Sequence, residues 1–430
     1  MNFKKYVTYP LWFYALTFPF LYWSVFYHNG SSTRVAFDPL KGLYIPVGVF
    51  AYLLLSDLWA HVLKPRLAGP GRPAAVHRAA EMWSAVTQSK AYRWSRIGLV
   101  AGLIALSLAF PYVASFLPKS GYQVDVATKI GLYIILALGL NIVIGLAGVL
   151  DLGFIAFYAV GAYAWALLAS GVNGVFPWRA PPWTYPLVIV LAAILAGLFR
   201  LAIGWPALRL RGDYLAIVTL GFGEMMRYLL TNLRDYTGGS NGISIGVTPT
   251  FFGWKLAGLT DFYYLVLIFV FVTIFAVVRL ERSRIGRAWK AIREDEVAAA
   301  AMGINTPMYL LLAYVLGGLF AGIAGAIFAV KLGFVAPNSF NLDESIRVLS
   351  MVVLGGMGSV PGVILGAALL YALPEMFRTV GDYRMLLFGA MMIALMIYRP
   401  QGLLPPSSGA KRAPKEPAPP DAPRGKAAPQ

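Results

Sequence analysis

The chain has 430 residues, 59% of them hydrophobic and only 13% charged, with a mean hydropathy of +0.67, far more apolar surface than a water-soluble core needs, so it reads as an integral membrane protein. It contains no cysteine, and its three histidines are His28, His61 and His77, which excludes disulfides, thiolate metal centres and a histidine-rich metal site. The formal net charge of +17 sits in loops and tails, the pattern that orients membrane proteins, and gives no ground for nucleic-acid binding.

A span takes about 20 apolar residues, and the apolar runs here are continuous, which favours helices over the alternating strands of a barrel. In chain order the candidates are Pro10 to Tyr27, Gly42 to Leu63, Ile97 to Leu117, Val126 to Ala147, Val149 to Ser170 and Tyr185 to Gly204. The second half supplies Tyr214 to Thr231, Phe262 to Leu280, Met308 to Val330, Glu344 to Met357, Pro361 to Phe377 and Tyr383 to Ile397. The expected fold is all-α, a polytopic membrane bundle of about 12 spans or membrane-embedded helices.

Basic loops must fall on one side of the membrane. Lys4 and Lys5, the 63–96 loop, the turn carrying Arg200, Arg209 and Arg211, the 281–305 segment and the tail alternate as that requires, so both termini are expected in the cytoplasm. The first span is rich in Trp, Tyr and Phe and lacks a small-residue cleavage site, which suits a retained anchor better than a signal peptide. Three regions follow: a membrane extension over 1–120 with its basic loop at 63–96, a dense core over 121–405, and a Pro/Ala/Lys tail over 406–430. The tail's composition predicts disorder, solvated or resting on anionic lipid.

The core carries few groups that suggest chemistry. No phosphate-binding G-x-x-x-x-G-K-[ST] occurs; the Gly425-Lys426 pair lies in the tail and is followed by Ala, so any ATP-driven work requires a separate subunit. Gly238 to Gly242 fits G-x-S-x-G, but it stands in a turn-rich external loop far from every histidine, and loop closure is the reading taken. Ionisable residues within spans are costly and so mark candidates: Asp151, the i,i+3 pairs Glu224/Arg227 and Glu344/Arg347, and Glu375 near a span end. Each i,i+3 pair is either a structural salt bridge or a substrate contact.

Glycines recur every four residues at Gly318 and Gly322, then at Gly358, Gly362 and Gly366, the spacing that lets apolar helices approach closely. Two apolar segments are broken by glycine, Ile144 to Gly153 and Leu354 to Gly362. Interrupted helices in corresponding halves point to a transport path, with ordinary loops as the alternative. The candidates for that path are Gly145, Gly148, Asp151, Glu224, Arg227, Gly355 and Gly358.

Between the late spans, RSRIGRAWKAIREDEVAAAAMG (Arg282 to Gly303) is dense in charge and must face water. Its basic start, the triplet Glu294, Asp295, Glu296 and its alanine run predict one or two short helices, with Gly303 placed to end the last.

GLNIVIGLAGVLDLGFIAFYAVGAYAWALL (Gly139 to Leu168), LRLRGDYLAIVTLGFGEMMR (Leu208 to Arg227), TGGSNGIS (Thr237 to Ser244), GRAWKAIREDEVAAAAMGIN (Gly286 to Asn305), VVLGGMGSVPG (Val352 to Gly362) and YRPQGLLP (Tyr398 to Pro405) occur in this order. Together they closely resemble LivM-type permeases of bacterial branched-chain amino acid ABC importers, over about residues 121 to 405. The resemblance implies a multi-pass protein of the bacterial inner membrane that is half of a pore and not an enzyme. It implies a LivH-type second permease, two cytoplasmic ATPases that bind the ATP, and a periplasmic substrate-binding protein, with no cofactor or metal on the chain itself. The coupling segment maps to 282–303, with Arg287, Arg293, Glu294, Asp295, Glu296 and Gly303 as its candidate residues. In the general importer signature Glu stands six residues before the Gly; here Val297 holds that position and Glu296 stands one residue early. Leucine, isoleucine and valine are the implied substrates; other small amino acids, amides or urea, and an ion-coupled secondary transporter, are the competing readings.

Overall fold

The structure, a computed structural model, describes residues 90–115, 120–170, 180–210, 212–376 and 402–404, two short strands at 26–28 and 35–37, and single positions 389 and 393. The expected spans at 10–27, 42–63 and 383–397, the basic loop before residue 90 and the tail lie outside the described residues but for those few positions.

The described chain is helical: α1 (Lys90–Ser115), α2 (Ser120–Asn141), α3 (Phe154–Ser170), α4 (Tyr185–Ala207), α5 (Asp213–Asn232), α6 (Leu259–Arg282), α7 (Arg284–Glu294), α8 (Glu296–Ala301), α9 (Thr306–Leu332), α10 (Leu342–Gly355) and α11 (Val360–Met376). By length and composition, Ser120–Leu146, Pro182–Ala207, Leu259–Arg282 and Thr306–Leu332 are long and apolar enough to cross a membrane, and Ile104–Ser115, Phe154–Ala169 and Val360–Glu375 are shorter apolar helices.

The helix ends follow local chemistry. The side chains of Asn305 and Asn341 accept from the amides of Met308 and Glu344 to start α9 and α10, and Asp261 accepts from the Gly258 amide at the start of α6. At its far end α2 widens into a π-helical turn, Ile142–Leu146, and stops at Gly148, whose φ of +79° closes the turn.

The bundle is built around α2 and α9. The most apolar window of α2 is 83% buried and that of α9 67%, against 33% for α6, so the first two are central and α6 is peripheral. Helix α9 packs on α3 and α4, α2 on α6 and α11, and α10 on α11. Small residues make the closest of these approaches: a Cβ on Gly322 would lie 2.4 Å from the Ala192 carbonyl oxygen of α4, and one on Gly318 2.9 Å from Cδ of Arg200. Gly362 and Gly366 of α11 meet Gly355 and Met351 of α10 in the same way. Gly355, grouped above with a transport path, therefore stands at a helix-packing contact.

On one end, the strand Ile243–Ser244 pairs antiparallel with the strand Phe334–Val335. This ties the 238–244 loop to the exit of α9. The G-x-S-x-G residues form a short 3-10 turn there, Gly239–Asn241, with Gly238, Gly239 and Gly242 at positive φ.

One expectation is corrected. Arg200 was assigned to a basic turn with Arg209 and Arg211; it lies inside α4 with no exposed surface. Its charge is held by Asp151 and by three aromatic rings, so it does not count toward a basic loop.

Candidate functional site

The charged segment forms two helices. Ser283 caps α7 by accepting from the Gly286 amide, and Asp295 ends α7 and caps α8, its Oδ1 accepting from the amides of Val297 at 2.8 Å and Ala298 at 2.9 Å. Gly303, at φ +84°, follows the last turn. One face of α7 is anchored: Gly286, Ala288, Trp289 and Ile292 are buried, and the Trp289 indole donates to the Tyr309 carbonyl of α9 at 2.7 Å. A polar stripe faces out, with Arg287 donating to the Arg282 carbonyl and Lys290 paired with Glu281 at 2.8 Å. At the tip, Val297 is 71% and Met302 84% exposed, an apolar surface beside the charged one.

Arg293 turns the other way. Its Nη1 donates to the Gly145 carbonyl in the π-helical turn, and its side chain lies over Gly148, where a Cβ would come within 2.7 Å of Cγ. The loop after α10 meets the same place: the amide of Gly358 donates to Asn141 Oδ1 at 2.8 Å, and a Cβ on Gly358 would lie 3.0 Å from Arg293 Nη1. Residues 402–404 lace this loop from behind, the Leu403 and Leu404 amides donating to the Leu354 and Gly355 carbonyls at 2.8 and 3.1 Å. The two glycine-broken segments and the charged helix thus share one junction, made of Gly145, Gly148, Gly358, Arg293 and Asn141. Asn141 was not singled out from sequence; its signal was a lone amide in an otherwise apolar run.

The remaining candidates divide. Asp151 lies in the non-helical stretch before α3 and is fully buried against Arg200, its other oxygen accepting from the Gly153 amide at 3.0 Å. Phe154, Phe157 and Tyr314 place their rings 5.0, 4.8 and 4.8 Å from the Arg200 guanidinium carbon. Glu224 and Arg227 pair at 2.8 Å on α5 and Glu344 and Arg347 at 2.7 Å on α10, each along its own helix and each partly exposed. Tyr133 of α2 joins the second pair, donating to Glu344 at 2.8 Å, and Glu375 accepts from Tyr122 at 2.5 Å. Among the described residues no cluster of His, Asp or Glu is arranged to hold a metal ion.

A family model described as branched-chain amino acid transport system / permease component matches residues 122–396. The chain is 44% identical over 326 residues to the high-affinity branched-chain amino acid transport system permease protein LivM of Salmonella typhimurium, covering 70% of this chain and 73% of that one. It is also 44% identical over 333 residues to LivM of Escherichia coli, covering 72% and 75%. A more distant likeness, 26% over 294 residues, joins it to the permease LivH of Salmonella typhimurium, covering 63% of this chain and 91% of that one. No solved structure matches the chain.

Proposed function

The chain belongs to the permease-component family of branched-chain amino acid transport systems, and we propose that it forms half of the translocation pore of an ATP-driven importer for leucine, isoleucine and valine. It is an integral membrane transport subunit. In this proposal about 12 spans, both termini in the cytoplasm, place it in a bacterial inner membrane. Residues 121–405 form the permease core, 1–120 an added membrane extension and 406–430 a solvated tail.

A second permease of LivH type completes the pore, a likeness the chain carries in its own sequence. Two cytoplasmic ATPases supply the energy, since the chain has no phosphate loop of its own, and a periplasmic binding protein delivers the substrate.

One observation carries the mechanism: Arg293, on the charged helix α7, bonds directly to the broken end of α2 and lies against the loop after α10. The exposed stripe of α7 and the apolar tip at Val297 and Met302 form the ATPase-facing surface. Nucleotide-driven closure of the ATPases moves α7 and α8 as one body. Because Trp289 fixes α7 to α9 and Arg293 fixes it to Gly145, that motion reaches the central helices α2 and α9 together. Only an interaction that differs in free energy between the two states can bias them, and a charged donor on a single carbonyl is easily exchanged for another.

The test is purification from solubilised membranes followed by reconstitution. The chain should carry ATPase subunits with it, and labelled leucine should enter proteoliposomes only with ATP. Leucine uptake by the chain alone, driven by an ion gradient, would overturn the proposal.

A further inference from the structure

Helix α5 has 20 residues, about 30 Å of helix and so the depth of a hydrocarbon core. Among the described residues it packs on α3 and on the turn at Pro337–Ser339, and it buries Leu215, Thr219 and Met226. Its other face is open. Tyr214, Ile217, Gly221, Met225 and Tyr228, three and four residues apart along one stripe, are all exposed. The exposed stripes of α4 (Leu191, Ile194, Leu198) and α6 (Ile268, Val272, Phe275) are bulky and uncharged, as a lipid-facing surface is.

Two features set α5 apart from them. The Glu224/Arg227 pair flanks its stripe, and by helix rise the two residues stand about 17 and 21 Å from the start of α5. That is the middle of the core, where a partly exposed charged pair does not face acyl chains. Gly221 is the second feature. Gly317, Gly318, Gly322 and Gly325 of α9 each lie so close to another helix that an added Cβ would be crowded, whereas a Cβ on Gly221 would meet nothing within 4 Å among the described residues. Glycine inside a helix is destabilising relative to alanine, and in a membrane its use is to let a neighbouring helix close in. Gly221 has the notch without the neighbour.

We propose that the stripe Tyr214, Ile217, Gly221, Met225 and Tyr228 is the surface on which the second permease of the importer docks. This rests on the two-permease pore proposed above. The second permease is of LivH type, to which this chain is itself similar, and two related chains close most simply about a two-fold axis, each presenting the same element to the other. A helix with a mid-depth ion pair and an open glycine notch on its uncovered side suits that role, and the bulky stripes of α4 and α6 are left to lipid.

The test uses the importer purified with a tagged second permease. In this chain p-benzoylphenylalanine replaces Met225 or Tyr228 on α5, or Ile194 on α4, or Phe275 on α6. Irradiation should join the chain to the tagged permease from both α5 positions and from neither of the others. Adducts from α5 only to lipid, or only within this chain, would overturn the proposal, as would equal yields from all four positions. Gly221→Leu gives a second reading. It should fold, having open space among the described residues, yet lower the second permease recovered per chain about tenfold by overfilling the contact. At a lipid-facing position leucine would leave that recovery unchanged or raise it, and this result also removes the docking surface. If the variant does not fold, the photo-adducts decide. A wild-type complex that recovers no second permease removes the pair itself, whereas a recovered pair with adducts elsewhere removes only this surface.

Discussion

Arg293 donates a hydrogen bond to the carbonyl oxygen of Gly145, a residue 148 positions earlier in the chain. The contact joins the charged helix α7 to the point where α2 leaves regular helix geometry. A widened turn has carbonyls with strained or missing partners, and a cation placed there satisfies one of them.

Arg293→Ala should therefore uncouple the importer. A charge-assisted hydrogen bond contributes about 1.5–3 kcal/mol, so leucine transported per ATP hydrolysed should fall roughly tenfold or more while the complex still assembles. Uptake and hydrolysis measured on the same proteoliposomes give that ratio; an unchanged ratio would take Arg293 out of the coupling route.

Gly148→Ala should be destabilising without touching the ATPase surface. The position has φ +79°, and an added Cβ would collide with Arg293 Cγ at 2.7 Å. The left-handed conformation alone costs an L-residue about 1–2 kcal/mol, so the detergent-solubilised protein should melt several degrees lower. Gly303→Ala, also at positive φ but with open space around it, should show only the backbone part of that loss.

The two kinds of ion pair should respond differently to loss of the cation. Arg200→Met leaves Asp151 buried and unpaired, a cost of about 3–5 kcal/mol, and should abolish recovery of folded protein. Arg227→Met breaks a partly exposed i,i+3 pair on one helix, worth about 1 kcal/mol or less. Size-exclusion recovery and melting of both variants make the comparison; equal effects would mean that burial does not rank these pairs.

Met302→Asp should leave the chain itself intact, since the side chain is 84% exposed, and yet reduce the ATPase recovered with it about tenfold. Val297→Lys, in the same exposed apolar tip, should act in the same direction. A normal ratio of ATPase to permease in both would take the apolar tip out of the docking surface and leave the Arg287 and Lys290 stripe as its whole.

Much of the charged segment was legible. Ser283, Asp295 and Gly303 are local signals, each acting within three residues, and they divide the segment into two helices as composition suggests. Gly318 and Gly322 also announced a close approach, because a four-residue glycine spacing leaves a groove on one helix face whatever the partner is. What the spacing did not disclose was the partner: Gly322 meets Ala192, and Gly355, grouped with a transport path from its sequence neighbours, meets Gly362.

Arg200 shows why the rest stayed hidden. Next to Arg209 and Arg211 it looks like one more basic residue of a loop, and Asp151 looks like a lone acid at the head of a span. Nothing local distinguishes a buried arginine from a loop arginine; the difference is an aspartate 49 positions away.

From its sequence alone the chain is a membrane-embedded helical transport subunit with one dense charged segment between apolar runs and no G-x-x-x-x-G-K-[ST] motif, because apolar run length, charge placement and glycine spacing act through local free energies that composition and order already fix. Which glycines pack helices, which arginine is buried and which faces the broken helices are settled only by the fold. These depend on contacts between α2, α4, α7, α9 and α10, whose partners lie tens to hundreds of residues apart, and no local pattern carries that information.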